Sequence, residues 1–295
     1  MSSIWLFLCT SLIWGSTWIV ITAQLGSIPP EISVMYRFWL AALIAFLWLF
    51  YKKETFRFSK KQHLFFLLAG LGQFSTNYIF IYYSESLINS GLVAITFTLL
   101  IFLNILGKRF IFREQISTRV ILGGTLGGLG VIFIFSNELF FIEHQDKLLL
   151  GFVLGVLGSC AASCGNLVSY RNSKLNLPVI SSNAWGMFYG AIATTIFCLL
   201  NNKTVFYAFD TKYFFALFYL ALFGTVIAFQ TYITLLGRIG PEKASYTSVI
   251  TPVIAVLLSV FFEKFNFNSL TLVGVALCLG GNLLVLKKAR ANGTS

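Results

Sequence analysis

Ten long runs of this chain are almost free of charge, and that pattern leaves few folds open to it. A helix rising about 1.5 Å per residue needs about 20 apolar residues to cross about 30 Å of hydrocarbon. Within hydrocarbon no water satisfies the backbone, so a spanning segment must bond its own N–H and C=O groups. The runs fall at 3–24, 31–51, 63–84, 90–107, 118–136, 148–170, 179–200, 213–236, 242–262 and 269–286. Prolines 30, 178 and 241 mark helix starts, where a missing N–H costs nothing. Only 11% of the 295 residues are charged, against about 25% in a soluble domain. These features predict an all-α integral membrane protein of ten transmembrane helices, with the lipid bilayer as its first partner.

Positive charge predicts the orientation. Of 21 Lys and Arg residues, 16 fall in alternate loops and at the C-terminus (52–61, 108–119, 171–174, 238–243 and 287–290), four fall in the intervening loops, and Arg37 lies within a span. Both termini are therefore expected to be cytoplasmic, in a multi-pass protein of the inner membrane. The net charge of +11 follows from this topology, so no nucleic-acid partner is expected. The first run lacks a basic leader and is long enough to span, which argues against a cleaved signal peptide. Cys9, Cys160, Cys164, Cys198 and Cys278 lie in apolar runs without a CxxC pair, and His63 and His144 stand alone. They predict packing residues and no metal or other cofactor.

The chain also repeats itself. An offset of 148 places Pro30 on Pro178, Ser11 on Ser159 and Val20 on Val168, and an offset of 150 places Leu129-Gly130 on Leu279-Gly280. Two five-helix halves are predicted, over 1–138 and 147–288, joined by a linker at 139–146. Because five is odd, the second half enters the membrane inverted. Inverted repeats typify secondary transporters, whose site lies near the midplane between the halves.

In order and spacing, several short motifs resemble the drug/metabolite transporter superfamily, specifically its ten-helix EamA-type members. They are "WGSTW" at 14–18, "YRFWLAA" at 36–42, "GPEKASYTSVITPVIAVLLSVFFEKF" at 240–265, and the glycine-rich "GGTLGGLG" at 123–130 and "VGVALCLGG" at 273–281. The resemblance implies export or exchange of amino acids and related small metabolites. Members often carry a proline in the fourth helix as well as the ninth. Here Pro252 is present and 91–106 has none, so the first half is expected to bend less.

Polar side chains in a span generally face the bundle interior or a water-filled cavity. At about 100° per residue, Ser159, Ser163, Asn166 and Tyr170 form one stripe of the sixth span. Their repeat mates Ser11, Gly15, Trp18 and Thr22 form the same stripe of the first. On this reading Trp14 flanks the stripe, and Ser16 and Thr17 pack between helices. Gln73 and Asn77 align in the third span, with Tyr78 beside them and mapping near Gln230 of the eighth; Ser248 and Pro252 share a face of the ninth, beside Tyr246. The predicted substrate-binding set is Ser11, Gly15, Trp18, Gln73, Asn77, Tyr78, Ser163, Asn166, Tyr170, Gln230, Tyr246 and Ser248, around a cavity between spans 1, 3, 6, 8 and 9. The same hydroxyls and amides would also serve as interhelical ties, at about 0.6 kcal/mol each, and that reading stays open.

Arg37, Glu85 and Pro252 are gating or structural candidates. Arg37 lies six residues after Glu31, close enough to the outer end to snorkel or to reach a neighbouring helix. No acid falls near the centre of a span, so uniport or exchange is favoured over a proton-driven pump, with Glu85 the best remaining proton carrier. The glycine ladders lack GxxxxGK[ST], which excludes a nucleotide loop. The expected function is a secondary transporter exporting amino acids or related metabolites by alternating access. An uptake carrier is the alternative, as is a membrane-embedded enzyme acting on a lipid-linked substrate, although no catalytic constellation is visible. Monomer and dimer are both compatible with the sequence.

Overall fold

The computed structural model describes residues 2–26, 28–113, 118–141, 145–239, 244, 247–263 and 269–286. Within them lie ten membrane helices and no strand. Helices α1 (Ser3–Thr22) and α2 (Pro30–Tyr51) are continuous. Helix α3 runs Lys60–Leu71, widens into a π-helical turn at Gly72–Thr76 and resumes over Asn77–Glu85. Helix α4 runs Ser90–Thr96, tightens to a 3-10 turn at Phe97–Leu99 and resumes over Leu100–Phe112. Helices α5 (Thr118–Phe141), α6 (Gln145–Lys174) and α7 (Val179–Leu200) are unbroken. Helix α8 runs Thr211–Ala221, has its own π turn at Leu222–Ile227 and resumes over Ala228–Ile239. Helices α9 (Thr247–Phe262, with Pro252 inside it) and α10 (Ser269–Leu286) complete the bundle.

Local chemistry explains several ends. Pro30 opens α2 at its first turn, Ser59 and Gln62 form a reciprocal capping box on α3, and the Asp210 carboxylate caps α8 through the Tyr213 N–H at 2.6 Å. These groups satisfy N–H donors that a helix start leaves unpaired.

Inversion is visible in the packing. Helix α2 lies on α7, α5 on α10 and α4 on α9, and the remaining main contacts come in pairs: α1 on α9 with α6 on α4, α1 on α8 with α6 on α3, α3 on α7 with α8 on α2. Exchanging the two halves maps this set onto itself. The π turns obey the same rule, since they begin at Gly72 and Leu222, 150 residues apart. A π turn carries an extra residue and is often a functional feature; here it occurs at equivalent points of both halves. The fourth helix, expected to bend less for lack of a proline, is interrupted all the same, by its 3-10 turn opposite Pro252.

Large apolar side chains such as Leu47, Phe110, Ile132, Phe215 and Phe261 cover the outside of the bundle, as expected of surface in contact with lipid tails. Helices α5 and α10 meet backbone to backbone. A Cβ on Gly130 would lie 2.5 Å from the Gly274 carbonyl oxygen, and one on Gly281 2.5 Å from that of Gly123. Since backbone cannot rotate away, Gly130→Val is expected to cost about 1–3 kcal/mol by overpacking. Thermal melting in detergent, read against Gly128→Val, where a Cβ meets nothing within 4 Å, measures that cost.

Candidate functional site

The two halves enclose a central cavity of about 80 Å³ open to water-sized centres, walled by α1, α3, α4, α6, α8 and α9. That is room for several waters or a small solute. The wall is largely aromatic and apolar, with Trp14, Trp18, Tyr78, Phe97, Phe229 and Tyr232 the main surfaces. Its polar groups are few: Thr17, Gln73, Asn77, Asn166 and Thr251. No charged side chain lines it among the described residues. Four buried polar atoms of the wall have no hydrogen-bond partner among the described residues, namely Trp14 Nε1, Trp18 Nε1, Asn77 Oδ1 and Thr251 Oγ1. An unmet buried polar group costs about 1–3 kcal/mol. Two indole donors, an amide acceptor and a hydroxyl are thus available to a guest that can hydrogen-bond.

Of the sequence-predicted set, Trp18, Gln73, Asn77, Tyr78, Asn166 and Pro252 line this cavity. Ser11, Gly15, Ser163, Tyr170 and Gln230 lie off it, which corrects their expected placement. A Cβ on Gly15 would meet Ile254 of α9 at 2.6 Å, and Ser11 is buried one turn earlier on the same stripe. In α6, Ser163 donates to Asn104 of α4 at 2.9 Å, and Ser159 donates to the Thr96 carbonyl of α4 at 3.2 Å. The small members of the shared stripe, Gly15, Ser159 and Ser163, therefore mark the seam on which α1 meets α9 and α6 meets α4, while Trp18 and Asn166 of the same stripe reach the cavity. Repeat symmetry selected packing positions because small residues are needed at both copies of one helix crossing. The cavity face of α1 is instead Trp14, Thr17, Trp18 and Ile21, turned about 80° from the predicted stripe by the 100° step.

Gln230 is half-buried, while its neighbours Phe229 and Tyr232 form the α8 wall. Tyr170 sits at the end of the bundle where the basic residues gather, with the Lys108 and Lys174 ammonium groups 5.5 and 4.6 Å from its ring centre. Tyr246 lies outside the described residues, as does the side chain of Ser248. Most of the missed wall residues, Ile21, Ile81, Phe97, Leu100, Phe229 and Tyr232, are apolar or aromatic, so a search for polar stripes could not find them; Thr251, beside Pro252, was a polar residue that it overlooked. Trp14 and Thr17 were visible in the sequence but assigned to the wrong face.

Two polar layers bound the cavity. Toward the basic end, Gln73 donates to Asn166 Oδ1 at 2.7 Å and accepts from Ser169 at 3.2 Å. Gln73 also walls a smaller, water-sized space of about 10 Å³ beyond that layer, beside Asn172, Ser182 and Asn183. It reaches this position from the π turn of α3, where Gly72 and Gly165 bring the backbones of α3 and α6 together; a Cβ on Gly72 would lie 2.8 Å from the Gly165 nitrogen.

Toward the opposite end lies Arg37, only 1% exposed, so it does not snorkel. Its Nε donates to Thr225 Oγ1 in the π turn of α8 at 2.9 Å and its Nη1 to the Tyr82 hydroxyl at 3.3 Å. Tyr82 in turn donates to Gln24 at 2.8 Å. The guanidinium carbon stands 4.5 Å from the ring centre of Tyr78, a cation–π contact from behind the cavity wall. Each π turn therefore places a polar residue in one of the two layers.

Beyond Arg37 the loop before α8 is strapped down. Tyr36 donates to the Val205 carbonyl at 2.6 Å, and Lys203 lies 3.0 Å from the Glu31 carboxylate, which also accepts from Tyr83 at 2.7 Å. The hydrogen bond to Glu31 holds the Lys203 ammonium above the ordinary lysine value. The Lys203 charge is fully present below the ordinary lysine value and is lost only as the pH rises past the elevated one.

Comparison with known proteins gives a consistent family. Residues 1–136 and 149–287 match the EamA-like transporter family. An uncharacterized transporter of Bacillus subtilis (strain 168) is 24% identical over 92% of each chain. A protein of Escherichia coli (strain K12) named as a probable amino-acid metabolite efflux pump is 23% identical over 94% of this chain and 92% of its own. A solved crystal structure, 15% identical, superposes with a TM-score of 0.71 over 96% of each chain, which shows the fold alone.

Proposed function

The chain belongs to the EamA-like transporter family, and from that premise we propose that it exports a small polar metabolite of the amino-acid class by alternating access. The observation that carries this reading is the set of four unmet polar atoms in an aromatic cavity between two inverted halves. Few polar groups in an apolar pocket orient a guest, while the apolar surface supplies affinity. The absence of charge from the described wall favours a solute with no net charge and an apolar or aromatic body. Export is supported by the name of the E. coli relative.

In this proposal the two halves are 1–138 and 147–288, the basic end is cytoplasmic by the positive-inside rule, and the membrane is the inner membrane. The Gln73–Asn166–Ser169 layer is the inner gate and the Arg37–Thr225–Tyr82 layer the outer gate. The halves exchange positions by hinging at the π turns of α3 and α8. With no nucleotide loop in the sequence, uphill movement draws on a gradient of solute or ion.

Counterflow into proteoliposomes, with a panel of radiolabelled neutral amino acids, tests the proposal. At least one is expected to accumulate, and Asn166→Ala to lower its rate about tenfold, the effect of losing a hydrogen bond worth about 1.4 kcal/mol. Failure of every solute in a panel extended to amines and nucleosides would sink the transporter reading.

A further inference from the structure

Glu85, the last residue of α3, is 6% exposed, and neither of its carboxylate oxygens has a hydrogen-bond partner among the described residues. Five residues further on, Ser90 at the start of α4 holds a second carboxylate from the other half, that of Glu263 just beyond α9. The two acids are held very differently. Glu263 accepts from the Ser90 N–H at 3.1 and 3.3 Å to its two oxygens, from the Ser90 hydroxyl at 2.7 Å and from the Ser259 hydroxyl. These bonds tie the start of α4 to the end of α9, where a Cβ on Gly91 would already meet Ser259 at 2.9 Å. Three donor groups meet the hydrogen-bonding needs of the Glu263 carboxylate, whereas Glu85 is buried with none, and a buried carboxylate without partners is costly to hold as an anion.

We propose that Glu85 and Glu263 together form a binding site for one proton on the outer side of the bundle, and that release of this proton opens the cavity to that side. With the proton on Glu85, the pair carries a single negative charge and the α4–α9 clasp stays closed. Without it, a buried Glu85 anion stands across the halves from the half-buried Glu263 carboxylate, and their repulsion drives the outer ends apart. The other charged or titratable groups facing Glu85 are Arg37 from α2 and Tyr82 one turn back on its own helix. In the first turn of α6, Asp146 and Lys147 are solvent-exposed, and α1 and α4 contribute the uncharged Gln24 and Ser90 nearby. Arg37 keeps the pair from losing its last negative charge and sits in the outer layer, so the change in charge reaches the Thr225 and Tyr82 contacts. The orientation of this site rests on the transporter reading; its opening does not require a solute.

The test is thiol labelling in intact spheroplasts. Ile21→Cys places a thiol on the cavity wall, and a membrane-impermeant maleimide is added outside, with label at position 21 read by peptide mass spectrometry. Dividing by the same signal in the Ile21→Cys/Glu85→Gln chain removes the pH dependence of the thiol itself. The ratio is expected to rise about tenfold as the pH is raised and the shared proton is lost. Glu263→Gln removes the opposing charge and is expected to move the midpoint of the rise toward acid pH, because Glu85 then ionises more easily, or to abolish the rise, since ionised Glu85 then meets no repulsion. A flat ratio overturns the proposal, and so does an unmoved midpoint in Glu263→Gln, which serves if Glu85→Gln fails to reach the membrane. Solute counterflow without pH-dependent labelling would remove this site and leave the transporter reading, whereas pH-dependent labelling without counterflow of any solute would do the reverse.

Discussion

Arg37→Met is expected to insert and melt close to the native protein while exchanging solute about a hundredfold more slowly. The two parts of that expectation have separate causes. The guanidinium is fully buried, and burial of a charge costs several kcal/mol before any bond repays it. Removing it also orphans little: Thr225 Oγ1 still donates to the Leu220 carbonyl at 2.8 Å, and the Tyr82 hydroxyl still donates to Gln24. Stability therefore shifts by no more than about 1–2 kcal/mol. What is lost is the tie from α2 to the π turn of α8 and to Tyr82, together with the cation behind Tyr78. A charge-assisted hydrogen bond is worth about 1.5–3 kcal/mol, and loss of one full bond, with the Tyr82 contact at 3.3 Å adding little, sets the hundredfold scale of about 2.7 kcal/mol. Arg37→Lys keeps the charge but not the fork that reaches both partners, and should fall between. Counterflow and thermal melting, measured on the same samples, decide the matter. A large drop in melting temperature with proportionate loss of flux would make Arg37 a structural tie instead of a gate.

Deleting Ser75 from the π turn of α3 is expected to abolish transport with the helix retained. The π turn holds one residue more than an α turn in the same rotation, so loss of one residue lets Gly72–Thr76 relax to an α-helix while everything beyond it keeps its face. Asn77 and Tyr78 would stay in the cavity wall and Tyr82 in the outer layer, but the hinge proposed at the π turn is gone. The bond of Ser75 to Thr194 on α7, 2.9 Å long, goes as well. Ser75→Ala loses that bond at a cost of about 1 kcal/mol but keeps the π turn, so it separates the two effects. Circular dichroism should show helicity unchanged in both variants, binding by thermal shift should persist in both, and counterflow should vanish only in the deletion. Undiminished counterflow in the deletion would show that the π turn is not a hinge.

How far these arrangements were legible depends on which property encodes them. Gln73, Asn77 and Asn166 could be found because amides inside a span are costly and must have a reason. Ser11, Gly15 and Ser163 drew attention through the same polarity and smallness, yet they mark helix crossings, since small residues serve close approach as readily as they line a cavity. The π turns could not be read from the repeat offset, because each half carries one at the equivalent point and the extra residues cancel. An α-helical wheel drawn through Gly72–Thr76 fails beyond it, because the extra residue is expressed in the backbone and not in composition. Glu85 was visible as an acid at a helix end, but nothing in the chain paired it with Glu263, 178 positions on.

The number of helices, the membrane as their solvent and the two-fold repetition were determined by the sequence alone. Each follows from a local quantity, whether the length of an apolar run, the placement of Lys and Arg, or the recurrence of short motifs. Which face of α1 looks inward, which amide closes the cavity and which carboxylate meets which were decided only by the tertiary structure. Those outcomes depend on how helices from opposite halves pack, and packing is settled by the fit of whole surfaces across the bundle, to which residues far apart in the chain contribute together.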